Sequence, residues 1–163
     1  MKPRAKADGT KTLVGFEVGE VHYAIDISQV VQIVRPAAVE ALPHLPMSVL
    51  GLASYRGEVV PVVDLRRRFG LPPRSTGREK WVVVRVGQRR AALVVDGVTD
   101  VIGTAGGEIR PAPPVGDGDD LRGLLGLVTV NDRMTFVLDL DRLDGALEHA
   151  VPAGRARRSE GTP

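Results

Sequence analysis

The chain repeats itself, and the repeat limits what it can fold into. Residues 16–34, FEVGEVHYAIDISQVVQIV, align with residues 84–102, VRVGQRRAALVVDGVTDVI, at a constant offset of 68. Gly19 then matches Gly87, Ala24 matches Ala92, Ile25 matches Leu93, Val30 matches Val98 and Ile33 matches Val101. Residues 51–70 align with 126–145 at an offset of 75, bringing Gly51 onto Gly126, Leu52 onto Leu127, Asp64 onto Asp139 and Gly70 onto Gly145. The seven extra residues fall between Val101 and Gly126, where a loop absorbs insertions at little cost. An approximate duplication of a four- or five-strand unit accounts for the whole chain.

Each unit is built from short, turn-punctuated apolar runs rather than 3.6-residue periods, so the expected class is all-β with short helices. TLVGFEV (12–18) and VHYAIDI (21–27) flank a hairpin turn at Gly19-Glu20. SQVVQIV (28–34) starts with one helical turn, capped by Ser28 or Asp26, and continues as a strand. GLASY (51–55) and EVVPVV (58–63) pair across Arg56-Gly57, with Pro61 demanding an edge or a bulge. DLRRRFG is a short helix capped by Asp64 and stopped by Gly70. WVVVRVG (81–87) with RRAALVV (89–95), and LLGLVTV (124–130) with RMTFVL (133–138), form two more hairpins. A Gly/Pro/Asp loop is expected from Gly103 to Asp120, and a last helix after Asp139. Strands this short leave edges exposed unless each unit curls into a small barrel, and two adjacent barrels create a cleft for a partner.

Composition narrows the function. At 43% hydrophobic, the 163 residues can bury a substantial core, while a net charge of +2 gives no global attraction to nucleic acid or membrane. The polar, basic ends at 1–10 and 150–163 are expected to be disordered tails around a folded body at 11–149. The N-terminus lacks the apolar stretch of a signal peptide, and no run is long enough to insert directly into a membrane. Without cysteine there is no thiolate metal site and no cysteine nucleophile. His22, His44 and His149 share no metal-ligand spacing, so neither a metal nor a cofactor is expected. Asp64 and Asp139 are explained as helix caps, and Asp26 and Asp96 as turn or cap residues. No catalytic residue is assigned.

Two binding readings remain. Arg66-Arg67-Arg68 with Arg89-Arg90 would make a basic stripe on a small nucleic-acid-binding barrel, with Tyr55 and Trp81 as its stacking platforms. At 4% aromatic the chain is poor in such platforms, which argues against nucleic acid. The alternative is protein docking: Arg56 is displayed at a hairpin turn where Gly57 supplies positive φ. Of the neighbouring Val30 and Val31, one faces inward, and the other either lines the inter-barrel groove or is buried as well.

The order GLASYRGEVVPVVDLRRRFG, ALVVDGVTDVI, EIRPAP and GLLGL resembles the CheW-type chemotaxis adaptors over about residues 11–147. The resemblance implies two intertwined five-stranded SH3-like barrels with strands exchanged between them. It implies an adaptor, not an enzyme, coupling the cytoplasmic tips of methyl-accepting chemoreceptors to a CheA-type histidine kinase. Its place would be cytoplasmic, associated with membrane-bound receptor arrays. The implied partner-binding residues are Val30, Val31, Gln32, Ser54, Tyr55, Arg56 and Gly57. The family usually has asparagine and an aliphatic residue where this chain has Ser54 and Tyr55, and often glutamate at Gln32. A CheW-like adaptor in a chemosensory-like pathway for motility, development or gene expression is the nearest alternative.

Overall fold

The computed structural model describes residues 10–105, 109–111 and 123–141. The C-terminal tail, residues 1–9 of the N-terminal tail, most of the expected loop before Leu124 and nearly all of the last helix lie outside these residues. So does His149.

Ten strands and two short helical turns are described: β1 (Thr10–Val18), β2 (Val21–Asp26), β3 (Val30–Val34), β4 (Val49–Tyr55), β5 (Glu58–Asp64), α1 (Leu65–Arg68), β6 (Lys80–Val86), β7 (Arg89–Val95), β8 (Gly97–Ala105), β9 (Leu124–Val130) and β10 (Arg133–Leu138), with a 3-10 turn at Ile27–Gln29. They form two five-stranded sheets. Sheet I runs β8-β1-β2-β10-β9 and sheet II runs β3-β6-β7-β5-β4. By the sequence repeat, β1 to β5 correspond to β6 to β10, so the two sheets have one and the same order. Each takes its first and second strands from one repeat and its third, fourth and fifth from the other. The parallel pairs β2–β10 and β7–β5 are where the repeats interlock.

The apolar alternation sorts side chains onto two faces of each sheet. One face of sheet I holds Leu13, Ala24, Ile102, Val128 and Val137. One face of sheet II holds Ala53, Val62, Trp81, Val83 and Ala92. The opposite faces of both sheets meet in a shared cluster that includes Phe16, Val18, Ile25, Val82, Val84 and Leu93. The contact between the barrels is therefore a filled core, where the sequence suggested an open cleft. Tyr23 lies in this core, stacked 4.7 Å from Phe69, and burial raises its phenol pKa.

Gly51 and Gly126 match because the backbone needs them. An isolated bridge pairs Glu40 with Leu52, and its counterpart pairs Arg110 with Leu127. A Cβ on Gly51 would collide with the Glu40 carbonyl, and one on Gly126 with the Arg110 carbonyl. Gly51→Ala and Gly126→Ala are each expected to destabilise the protein by about 1–3 kcal/mol. The check is a lowered urea midpoint at unchanged m-value, with Gly103→Ala, where the space is open, as the neutral control.

Two local expectations change. The Gly/Pro/Asp loop does not begin at Gly103, because β8 continues to Ala105, paired with β1 as far as Thr10. Pro61 is not on an edge strand: β5 lies between β7 and β4. Its missing donor is tolerated because the ladder to β7 starts at Val62, one residue later.

Candidate functional site

The implied docking residues lie on or beside the two edge strands of sheet II, β3 and β4, which side chains join at one end. Tyr55 at the end of β4 donates its hydroxyl to Gln32 Oε1 on β3 at 2.6 Å. Arg56 Nη2 donates to the same oxygen at 2.7 Å. The guanidinium carbon stands 5.3 Å from the centre of the Tyr55 ring, within cation–π range. Gln32, Tyr55 and Arg56 thus form one hydrogen-bonded cluster, with Arg56 exposed at its tip. One amide oxygen orients both the phenol and the guanidinium.

The hairpin that displays Arg56 is unusual. Arg56 has φ 50° and Gly57 φ 81°, so both central residues of the turn are left-handed. That turn type prefers asparagine, aspartate or glycine. The repeat counterpart follows the preference, with Asn131 at φ 51° and Asp132 at φ 65°. An arginine here is strained, and nothing in the turn itself asks for it.

A bulge shapes the neighbouring strand. The β3–β6 register shifts between Val30 and Gln32, leaving Val31 as the extra residue. Val30 packs against the core shared by the sheets, and Val31 against the sheet II core. Both are half-buried, so neither is the exposed valine that the sequence suggested. The exposed aliphatic residue of β3 is Ile33, at 39%. Strict alternation would put Ile33 on the face of Val31; the bulge moves it to the face of Val30. Ser54 is exposed opposite Val59, itself 68% exposed.

The basic stripe does not form. Arg66 is 7% exposed and pairs with Asp96 at 2.7 Å, while Arg67 lies 3.8 Å from Asp64. Arg90 pairs with Glu58 at 3.4 Å. Trp81 is 6% exposed inside the sheet II core, so it offers no stacking surface. Nucleic-acid binding finds no support.

The carboxylates are mostly caps. Asp64 accepts from the Arg66 amide at 2.9 Å, Asp26 from the Ser28 amide at 2.9 Å and Asp139 from the Asp141 amide at 3.1 Å. Asp96 is more than a turn residue: it is buried and accepts from both Arg66 and the Gly19 amide. His22 lies 3.0 Å from an Arg133 nitrogen, and His44 is exposed. Among the described residues no three His, Asp or Glu side chains gather to hold a metal, and no helix is long and apolar enough to cross a membrane.

Comparison with known proteins agrees with this architecture. The family model described as CheW-like domain matches residues 12–146. The chain is 34% identical over 137 residues to the chemotaxis protein CheW of Klebsiella aerogenes, covering 83% of this chain and 82% of that one. It is 31% identical over 114 residues to protein FrzA of Myxococcus xanthus, covering 69% and 71%. Among solved structures it resembles the scaffolding protein TtCheW of Thermoanaerobacter tengcongensis, with a TM-score of 0.74 and 30% identity over 79% of this chain and 88% of that one. A duplicated, strand-exchanged pair of five-stranded barrels, matched over most of its length by these proteins, places this chain in the CheW-like domain family, as a chemotaxis adaptor of the CheW type.

Proposed function

We propose that the chain couples methyl-accepting chemoreceptors to a CheA-type histidine kinase by holding both on one two-barrel scaffold, and that it performs no chemistry itself. The receptor tip docks at the rim of sheet II. Its apolar helix face meets Val30 and the exposed Ile33, and Arg56, held by Gln32 and Tyr55, anchors its polar end. Val31, Ser54 and Gly57 shape that rim as bulge, edge and turn. The kinase regulatory domain packs on the other barrel, which exposes Val101 at 64% and Met134 at 53%, the repeat counterparts of Ile33 and Val59.

The observation that carries this reading is the strained Arg56. A turn that would be more stable with asparagine keeps an arginine, and the fold orients that side chain outward. Such strain persists where it serves recognition. An adaptor of this kind transmits only the difference in affinity its partners show between their states, typically about 1–3 kcal/mol. Modest contacts therefore suffice when many act together in an array. The site of action is the cytoplasmic face of membrane-bound receptor arrays.

The test is a three-component sedimentation assay with purified kinase, a receptor cytoplasmic fragment and this protein. Recovery of the kinase with the receptor only when this protein is present supports the reading. Recovery that does not depend on it overturns the reading. A second setting is the same coupling in a chemosensory-like pathway controlling motility, development or gene expression. The kinase and receptor encoded beside this chain's gene distinguish the two.

A further inference from the structure

The chain passes between the sheets twice among the described residues. It leaves sheet I for sheet II through Ile27–Gln29, between β2 and β3. It returns from sheet II to sheet I at Asp96, between β7 and β8. These crossovers are repeat counterparts, since Ser28 aligns with Asp96 at the offset of 68. A duplicated fold would treat them alike, yet this one does not.

The Asp96 crossover is pinned by buried polar bonds. Asp96 Oδ2 accepts from the Gly19 amide at 2.6 Å and from Arg66 Nη1 at 2.7 Å. The side chains of Asp96 and Arg66 are each only 8% exposed. Gly19 belongs to the β1–β2 turn of sheet I, and Arg66 to α1, which follows β5 of sheet II. A single carboxylate oxygen therefore ties the two sheets together. The guanidinium is held further by the Pro72 carbonyl, accepting from Arg66 Nε at 3.1 Å. The crossover backbone is held to sheet I by the Asp96 amide, which donates to the Glu17 carbonyl at 2.8 Å.

The Ile27–Gln29 crossover touches both sheets, through β1 and β6, but buries no residue of its own. Its Ser28 amide donates to Asp26 in an exposed bond that reaches back only two residues. Ile27 is 41% exposed. The close-packed apolar core between the sheets also resists rotation, and the polar cluster at Asp96 adds a directional restraint at one end of it.

We propose that the Asp96–Arg66–Gly19 cluster is the pivot that fixes the angle between the two barrels, with the Ile27–Gln29 crossover as the compliant link opposite it. The compliant link runs directly into β3, which carries Val30, Val31 and Gln32. Strain imposed on β3 would turn one barrel about the pivot. This consequence rests on the adaptor reading. The geometry of the pivot does not, and its test uses no partner.

The chain has no cysteine, so spin labels attach only where cysteines are introduced. Arg85→Cys on sheet II and Thr129→Cys on sheet I occupy exposed strand positions. The labelled protein should give one narrow distance distribution by electron–electron double resonance. In the Arg66→Met/Asp96→Leu background, where an apolar pair replaces the ions and commonly preserves folding, the width should rise about twofold. An unchanged width in that folded double variant overturns the proposal.

Amide hydrogen exchange on the unsubstituted protein tests the same point should the double variant not fold. The Gly19 amide should exchange only through global unfolding, and the Ser28 amide by local opening at least about a hundredfold faster. Equal rates at Gly19 and Ser28 would overturn the pivot.

Discussion

Asp96→Ala should destabilise the protein by about 3–5 kcal/mol, among the largest costs of any single side-chain truncation in this fold. The loss exceeds one hydrogen bond. Removing the carboxylate leaves the Arg66 guanidinium buried without its counter-ion, and leaves the Gly19 amide without its acceptor. An unpaired buried charge costs more than the pair contributes. In thermal unfolding the midpoint should fall by roughly 10 °C for a chain of this size. Asp96→Asn keeps an acceptor oxygen but not the charge, so it should cost less. Asp26→Ala, which removes an exposed cap, should cost about 1 kcal/mol. A loss of only that size at Asp96 would show that the ion pair is incidental.

Arg56→Asn should separate folding from docking. It places the residue type the turn prefers at φ 50°, matching Asn131 at φ 51°, and should raise stability by about 1 kcal/mol. The same change removes the guanidinium held by Gln32 and stacked beside Tyr55. Partner binding should weaken by about thirtyfold or more, the size of a truncated arginine hot spot. Calorimetry and a binding isotherm on one preparation read both effects. Lower stability with unaltered binding would make Arg56 a structural residue.

Much of this fold could be read from the chain because its repeat is enforced by backbone geometry. Gly51 and Gly126 recur because a carbonyl occupies the space of their side chains. Asp64 and Asp139 recur because each caps a following helical turn. The exchange of strands could not be derived this way. A repeat pairs equally well within itself or with its twin, and only the family resemblance implied the interlock. Asp96 reads in the sequence as a turn or cap residue because it sits at the end of a strand. Its partner Arg66 lies 30 residues away, and no local pattern announces such a pair. The face on which Ile33 lies could not be read from the sequence, because the bulge at Val31 breaks the period of two. β8 outran its expected end because pairing with β1 overrides the local preference of Gly103. For the docking cluster, the sequence indicated Gln32, Tyr55 and Arg56 separately. The curl of sheet II brings its two edge strands within side-chain reach, so that Tyr55 and Arg56 both bond one amide oxygen.

The most direct test of the adaptor account is kinase activity in the reconstituted three-component array, with wild-type protein and with Arg56→Asn. The account predicts receptor-dependent autophosphorylation with the wild type and its collapse with the variant, although the variant melts at an equal or higher temperature. Full receptor control of the kinase by Arg56→Asn would contradict it.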